Sequence, residues 1–110
     1  MRELRDKGVL IIGSGNIVHN LRLWLSKHEE KTFDWAVEFD EWVKGKILTG
    51  DYNSLIDYEE QGPSALLAVP TNEHYLPMLY ALALSDDEEV IRFTYEEVDS
   101  AISMRSFRIG

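Results

Sequence analysis

The sequence predicts an α/β fold in which a small mixed, partly parallel sheet is flanked by helices. Residues 9–12 read Val-Leu-Ile-Ile, a short branched run typical of a strand buried on both faces. Residues 33–48 repeat apolar side chains at helical spacing. Residues 90–95 and 102–109 alternate apolar and polar side chains as strands do, and a slip in the second alternation predicts a β-bulge. We expect a single domain over residues 1–110.

The first quarter of the chain places the predicted buried strand between two helical stretches. Residues 1–7 form a charged helical pattern, and Gly8 follows it as a helix-ending residue. Residues 13–16, Gly-Ser-Gly-Asn, predict a turn directly after the strand. Residues 17–25 predict a short helix, and residues 27–31 predict a polar connector.

The middle of the chain is predicted to be mainly helical. The amphipathic helix over residues 33–48 is expected to end at Gly50, because glycine readily adopts the left-handed conformation. Residues 51–60 predict a second, shorter helix, and residues 64–69 are an apolar stretch of undecided type. Residues 74–84 predict an apolar helix with a proline in its first turns.

Composition and charge narrow the class of function. The formal net charge of -9 disfavours binding to nucleic acid, because phosphate backbones repel an acidic chain. There are no cysteines, so disulfides, thiolate ligands and a cysteine nucleophile are excluded. No apolar run approaches the length of a membrane span, and the charged start is unlike a signal peptide. These features predict a cytoplasmic protein without a membrane partner.

The three histidines are the first candidates for chemistry, because imidazole binds metals and transfers protons near neutral pH. His19 follows the predicted strand and glycine turn, where open α/β sheets bind their ligands. His74 stands beside Glu73, and the pair could supply ligands to a divalent metal. His28 lies among charged residues and is expected to be an exposed connector residue. Spacing alone leaves open whether His19 and His74 are functional or structural.

The glycine turn raises the alternative of a phosphate or nucleotide site. Residues 13–15 follow a predicted strand, as phosphate-binding glycine loops do. The dinucleotide pattern would need glycine at position 18, which is Val18, and no Gly-Lys-Ser/Thr follows for a phosphate loop. Ser14 also lacks the flanking glycines of a nucleophile elbow. A nucleotide-binding domain therefore remains only an alternative.

Two longer segments resemble those of a known enzyme family. Residues 13–22, Gly-Ser-Gly-Asn-Ile-Val-His-Asn-Leu-Arg, are similar to the Gly-Ser-Gly-Asn-x-x-His-Asn-Leu-Arg segment of DOPA 4,5-dioxygenase-like proteins. Residues 70–77, Pro-Thr-Asn-Glu-His-Tyr-Leu-Pro, resemble that family's Pro-Thr-Pro-Glu-His-Tyr-Leu-Pro segment, with Asn72 in place of a proline. Residues 103–110 are similar to its last strand. The chain is thus identified as a class III extradiol dioxygenase relative.

The resemblance implies a chemistry and a set of site residues. Such enzymes open a catechol ring with O2 at a non-haem divalent metal, either Fe(II) or Zn(II). Carried over by position, His74 matches a metal ligand, and His19 matches either a further ligand or an acid/base. Glu73 would support or replace a ligand. Asn16 and Asn20 are expected to bind substrate or to orient His19.

The resemblance also implies that the chain is the C-terminal part of a larger α/β domain. Family members carry two further histidine segments, His-Gly-Ser-Pro and Ser-Ala-His-Trp, which are absent here. We therefore expect an incomplete oxidoreductase, inactive alone, that forms a homo-oligomer or binds a complementing N-terminal half. The alternative is a non-catalytic binding or assembly module that retains the fold.

Overall fold

The predicted α/β fold class is confirmed. The helices come first along the chain, and the strands follow from Ile91 onwards. The computed structural model describes residues 2–25 and 32–110, so the predicted connector at 27–31 and His28 lie outside the described residues. The α-helices are α1 (Arg2–Asp6), α2 (Leu21–Leu25), α3 (Asp34–Thr49), α4 (Tyr52–Ile56), α5 (Pro63–Ala68) and α6 (Leu76–Ala83). A 3-10 helix, Tyr58–Gln61, lies between α4 and α5. The strands are β1 (Ile91–Tyr95), β2 (Val98–Asp99), β3 (Ile102–Ser103) and β4 (Ser106–Ile109).

Helix α3 is the central element of the core. Its apolar side chains recur at three- and four-residue intervals, so one face is buried against the other helices. Gly50 ends the helix as predicted, with φ 72° and its N–H donating to the carbonyl of Ile47 at 3.2 Å. The buried residues of this helix are Ala36, Phe39, Asp40, Val43 and Ile47.

The remaining central helices pack around α3. The predicted helix over residues 51–60 is divided at Asp57 into α4 and the 3-10 helix. The undecided stretch at 64–69 is helical and forms most of α5. The Tyr75 hydroxyl, beside α6, donates to the carbonyl of Leu55 at 2.7 Å in the core, which fixes the start of α6 against α4.

The strands form two small antiparallel pairs. β1 pairs with β4, with a register shift between Phe93 and Tyr95, and β2 pairs with β3 as a short hairpin. The predicted single strand over residues 102–109 is therefore two strands, and each has a different partner. Every strand pair within residues 2–25 and 32–110 is antiparallel, so the expected partly parallel sheet is not confirmed.

The strand predicted over residues 9–12 is not formed. The segment belongs to no strand, because no neighbouring strand of the described chain pairs with it. Its side chains are not buried on both faces either, since Leu10 is 81% exposed and Ile12 is 79% exposed. The prediction for residues 17–25 was too long, because helix α2 begins only at Leu21.

Helix α1 is attached to the turn before β1 by charge. The Arg5 guanidinium donates to both carboxylate oxygens of Glu89, at 2.6 and 2.5 Å, and to the carbonyl of Leu84. Bidentate arginine–carboxylate pairs are among the stronger charged contacts. No helix in the described part of the chain has the length and apolarity to cross a membrane.

This pair predicts a specific pH dependence of stability. Hydrogen bonding from Arg5 lowers the pKa of Glu89 from 4.5 to about 2. A carboxylate with a depressed pKa stabilises the fold above its unfolded value, and this contribution is lost as pH falls towards about 2. Glu89→Gln should therefore lower the thermal midpoint at pH 7, and its difference from the parent should shrink between pH 4.5 and 2. Glu88→Gln is the exposed control, and an equal pH trend in both variants would contradict this assignment.

Candidate active site

His19 and His74 lie side by side. Their ring centroids are 5.0 Å apart, and the ring planes are inclined by 49°. His19 forms an isolated antiparallel bridge with Ile102, and its N–H donates to the carbonyl of Ala68. His74 lies in the turn that precedes α6. The fold therefore brings together the two histidines that the sequence singled out.

The His19 ring is buried and held between two backbone segments. Its Nδ1 lies 3.0 Å from the carbonyl oxygen of Asn16, and its Nε2 lies 2.7 Å from that of Thr71. A neutral imidazole carries one N–H, so it can donate to only one of these carbonyls at a time. The ring orientation is consequently fixed, and a ligand reaches Nε2 only where the Thr71 carbonyl gives way.

His74 differs from His19 in its accessibility. Its side chain is exposed, and within residues 2–25 and 32–110 its ring nitrogens have no hydrogen-bond partner. It lines two cavities, a groove of about 1140 Å³ and a smaller cleft of about 340 Å³. The imidazole nitrogens of His74 are therefore available to a ligand from either side.

Glu73 provides a carboxylate in the smaller cleft, next to both imidazoles. The Thr71 hydroxyl donates to its Oε1 at 2.6 Å, and this hydrogen bond is the main reason that the pKa of Glu73 is lowered. The carboxylate is therefore ionised at neutral pH. The smaller cleft is lined by His19, Asn20, Leu21, Arg22, Pro70, Thr71, Glu73 and His74.

Asn16 and Asn20 use their side chains within the protein. The Asn16 Nδ2 donates to the carbonyl of Ser103 at 2.8 Å, while its backbone carbonyl faces His19. The Asn20 Nδ2 donates to the carbonyl of Leu67 at 2.8 Å, and its Oδ1 accepts from the N–H of Leu23 at the start of α2. Of the two asparagines, Asn16 contacts the His19 ring, through its backbone carbonyl, whereas the side chain of Asn20 contacts Leu67 and Leu23. The expected contact of both asparagines with substrate stays a prediction.

The glycine turn packs directly against the start of α6. A Cβ added to Gly15 would overlap the carbonyl oxygen of His74, and one added to Gly13 would lie 2.9 Å from that of Pro77. Both positions therefore need glycine for close backbone packing. This contact holds the segment before His19 against the turn that carries His74, and it accounts for these glycines without a phosphate ligand.

A buried ion pair supports the His19 side of the site and was missed by sequence reasoning. The Arg105 Nε and Nη2 donate to the Asp40 carboxylate at 3.0 and 2.6 Å. The Ser103 hydroxyl donates to the same carboxylate at 2.5 Å, and the Ser103 carbonyl accepts from Asn16. The available signal was Asp40 itself, a carboxylate on the otherwise apolar stripe of α3.

The described residues do not form a complete metal site by themselves. No group of three or more histidine, aspartate or glutamate side chains in residues 2–25 and 32–110 is arranged to hold a metal ion. Two imidazoles and one carboxylate do lie around the smaller cleft. Both nitrogens of His19 face carbonyl oxygens, so among the described residues around this cleft the free imidazole and carboxylate ligand atoms belong to His74 and Glu73.

The packing of Gly15 on His74 gives a testable prediction. Gly15→Ala should force the two segments apart and cost about 1–3 kcal/mol of unfolding free energy, as overpacking does. Gly45→Ala, at an uncrowded position in α3, should instead stabilise by about 0.5–1 kcal/mol. Chemical denaturation measures both, and nuclear Overhauser contacts between the His19 and His74 rings should weaken only in Gly15→Ala. Equal stability of the two variants would refute the packing argument.

Comparison with known proteins identifies relatives over nearly the whole chain. Residues 1–103 match a family model described as the catalytic LigB subunit of aromatic ring-opening dioxygenase. The 4,5-DOPA dioxygenase extradiol of Escherichia coli (strain K12) is 36% identical over 114 residues, covering 100% of this chain and 42% of its own length. That of Portulaca grandiflora is 34% identical over 104 residues, covering 90% of this chain and 36% of its own length.

A solved structure agrees with the sequence comparison. The crystal structure of uncharacterized protein JW3007 from Escherichia coli K12 superposes with a TM-score of 0.88 at 35% sequence identity. The match covers 99% of this chain and 46% of that chain. The chain spans about two fifths of the length of the curated relatives it matches, as a C-terminal portion would. It belongs to the LigB family of aromatic ring-opening dioxygenases.

Proposed function

We propose that residues 1–110 are the C-terminal part of an extradiol dioxygenase domain that opens catechol rings with O2. The proposal rests on the proximity of His19 and His74, whose ring centroids lie 5.0 Å apart and which both line the smaller cleft. The relatives named 4,5-DOPA dioxygenase extradiol support a DOPA-like catechol as the substrate.

The two histidines have different roles in this proposal. His74 is the metal ligand because its exposed side chain lines both cavities and its nitrogens have no hydrogen-bond partner among the described residues. His19 is the acid/base, because its buried ring is already oriented by the Asn16 carbonyl. A catechol hydroxyl that replaces the Thr71 carbonyl at Nε2 would give its proton to His19. Glu73 keeps a negative charge beside this position.

The metal site is proposed to be completed by residues that this chain does not contain. Non-haem Fe(II) oxygenases use imidazole and carboxylate ligands and leave coordination positions open, and Zn(II) accepts the same ligand types. The described residues supply only part of such a set. We therefore expect that this chain alone binds neither metal at one per chain and cleaves no ring. A complementing N-terminal half would provide the missing ligands.

A graft tests the proposed activity. The chain replaces the segment of the Escherichia coli 4,5-DOPA dioxygenase extradiol to which it aligns, and ring opening of L-DOPA with Fe(II) is followed by the yellow semialdehyde product. The graft should be active, whereas the isolated chain should not. His19→Ala should reduce kcat by at least about 100-fold, as loss of a general acid/base does. His74→Ala should abolish metal binding as well as activity.

Glu38→Gln is the matched control, because Glu38 is exposed on α3 and contributes to neither cavity. It should leave kcat and metal content unchanged. An active graft that tolerates His19→Ala and His74→Ala would reject the proposed roles. A folded but inactive graft would favour the alternative of a non-catalytic binding or assembly module.

A further inference from the structure

The backbone of residues 10–15 has no hydrogen-bond partner among the described residues. The Val9 N–H donates to the carbonyl of Leu4, but no N–H or C=O from Leu10 to Gly15 forms a hydrogen bond within the described chain. Backbone pairing resumes at Val18, whose carbonyl accepts from the Ser103 N–H, and continues at His19, whose N–H donates to the carbonyl of Ala68. Such a row of free donors and acceptors in a non-helical segment is what the edge of a β-sheet presents to an incoming strand.

The side chains of the same segment are apolar and uncovered. Leu10 is 81% exposed and Ile12 is 79% exposed, which are the two highest values among the large apolar residues described. Ile11, between them, is half-buried and lines the large groove. Contiguous exposed apolar surface of this kind marks an interaction site. Val-Leu-Ile-Ile therefore has the composition of a buried strand without the neighbours that would bury it.

The large groove separates this segment from the free edge of β4. It has a volume of about 1140 Å³, and residues of the 9–15 segment, of α6 and of β4 all line it. Among the described residues β4 pairs with β1 alone, so no described strand pairs with the backbone groups on its other edge. Met78 and Ala81 of α6 contribute apolar surface to the same groove. An extended chain placed in it would meet backbone partners as well as an apolar surface.

The segment is held in place before any partner binds. Gly13 and Gly15 pack against the carbonyls of Pro77 and His74, so the backbone cannot collapse into the groove without losing that packing. The superposition with a TM-score of 0.88 over 99% of this chain shows that the same backbone occurs within a chain of which it is only 46%. The natural occupant is therefore the polypeptide that forms the rest of that domain.

We propose that residues 9–15 and the free edge of β4 form a docking surface for β-strands of the remaining part of the family's domain. The choice of partner rests on the proposed function. His74 also lines the groove, so a strand docked there would place its own side chains near the His74 imidazole. Docking would thereby join the two parts of the active centre.

Hydrogen–deuterium exchange tests this surface directly. The probe is the part of the Escherichia coli 4,5-DOPA dioxygenase extradiol that does not align with this chain, co-expressed with the 110-residue chain. The amides of residues 10–15 should exchange rapidly in the chain alone and at least about 100-fold more slowly in the complex, because strand addition gives them acceptors. The same slowing should occur in the covalent graft.

Two matched variants distinguish specific docking from non-specific hydrophobic association. Ile12→Lys places a charge on a side chain that is 79% exposed, so it should leave the fold intact and weaken complex formation at least about 10-fold. Leu48→Lys, at a residue on α3 that is 60% exposed, should not change the affinity. Circular dichroism melts of both isolated variants verify folding.

Three results would overturn the proposal. One is fast exchange of residues 10–15 in both the complex and the graft. Another is equal weakening by Ile12→Lys and Leu48→Lys. The third is slower amide exchange of residues 10–15 in the chain alone as its concentration rises. This result would mean that a second copy of the chain binds the docking surface. A graft that opens the ring while residues 10–15 exchange rapidly would reject the docking surface and leave the proposed function standing. A graft that is inactive while residues 10–15 are protected from exchange would reject the proposed function and leave the docking surface standing.

Discussion

The buried carboxylate of Asp40 is the constraint on which the site side of the fold depends. It accepts hydrogen bonds from Ser103 in β3 and from Arg105, which lies between β3 and β4, and so it joins α3 to this part of the chain. The carbonyl of Ser103 accepts a hydrogen bond from the Asn16 side chain. The backbone carbonyl of Asn16 in turn faces the His19 ring. Removing one partner of a buried pair typically costs about 3–5 kcal/mol, because the other charge is left uncompensated. The orientation of His19 is thus tied to the core.

Local patterns predicted the elements whose hydrogen bonds are also local. Helix α3 and its end at Gly50 follow from four-residue periodicity and one left-handed residue, and both are confirmed. Residues 9–12 show where that reasoning fails. A branched apolar run predicts burial in a sheet, but a strand forms only where neighbouring strands are present. Residues 9–12 have side chains suited to the interior of a β-sheet. No strand of the described residues pairs with them, so most of them remain exposed.

The candidate site was partly predictable for a similar reason. The resemblance singled out His19 and His74, and the structure places their rings in contact. The Asp40–Arg105 pair could not be read from spacing, because its members are 65 residues apart. The place of Asp40 on the apolar stripe of α3 indicates a buried carboxylate, but no pattern identifies Arg105 as its partner. Only folding shows which charges meet. The different exposure of the two histidines likewise depends on the Asn16 and Thr71 carbonyls, which no side-chain pattern encodes.

In the proposed function, His19 and His74 belong to one catechol-binding centre that is shared with another part of the domain. A crystal structure of the graft with bound catechol tests this most directly. We predict catechol oxygens within hydrogen-bond distance of His19 Nε2, the His74 side chain directed at the same centre, and strands paired along residues 10–15. A catechol bound elsewhere, with His19 still held by the Thr71 carbonyl and His74 facing solvent, would contradict it.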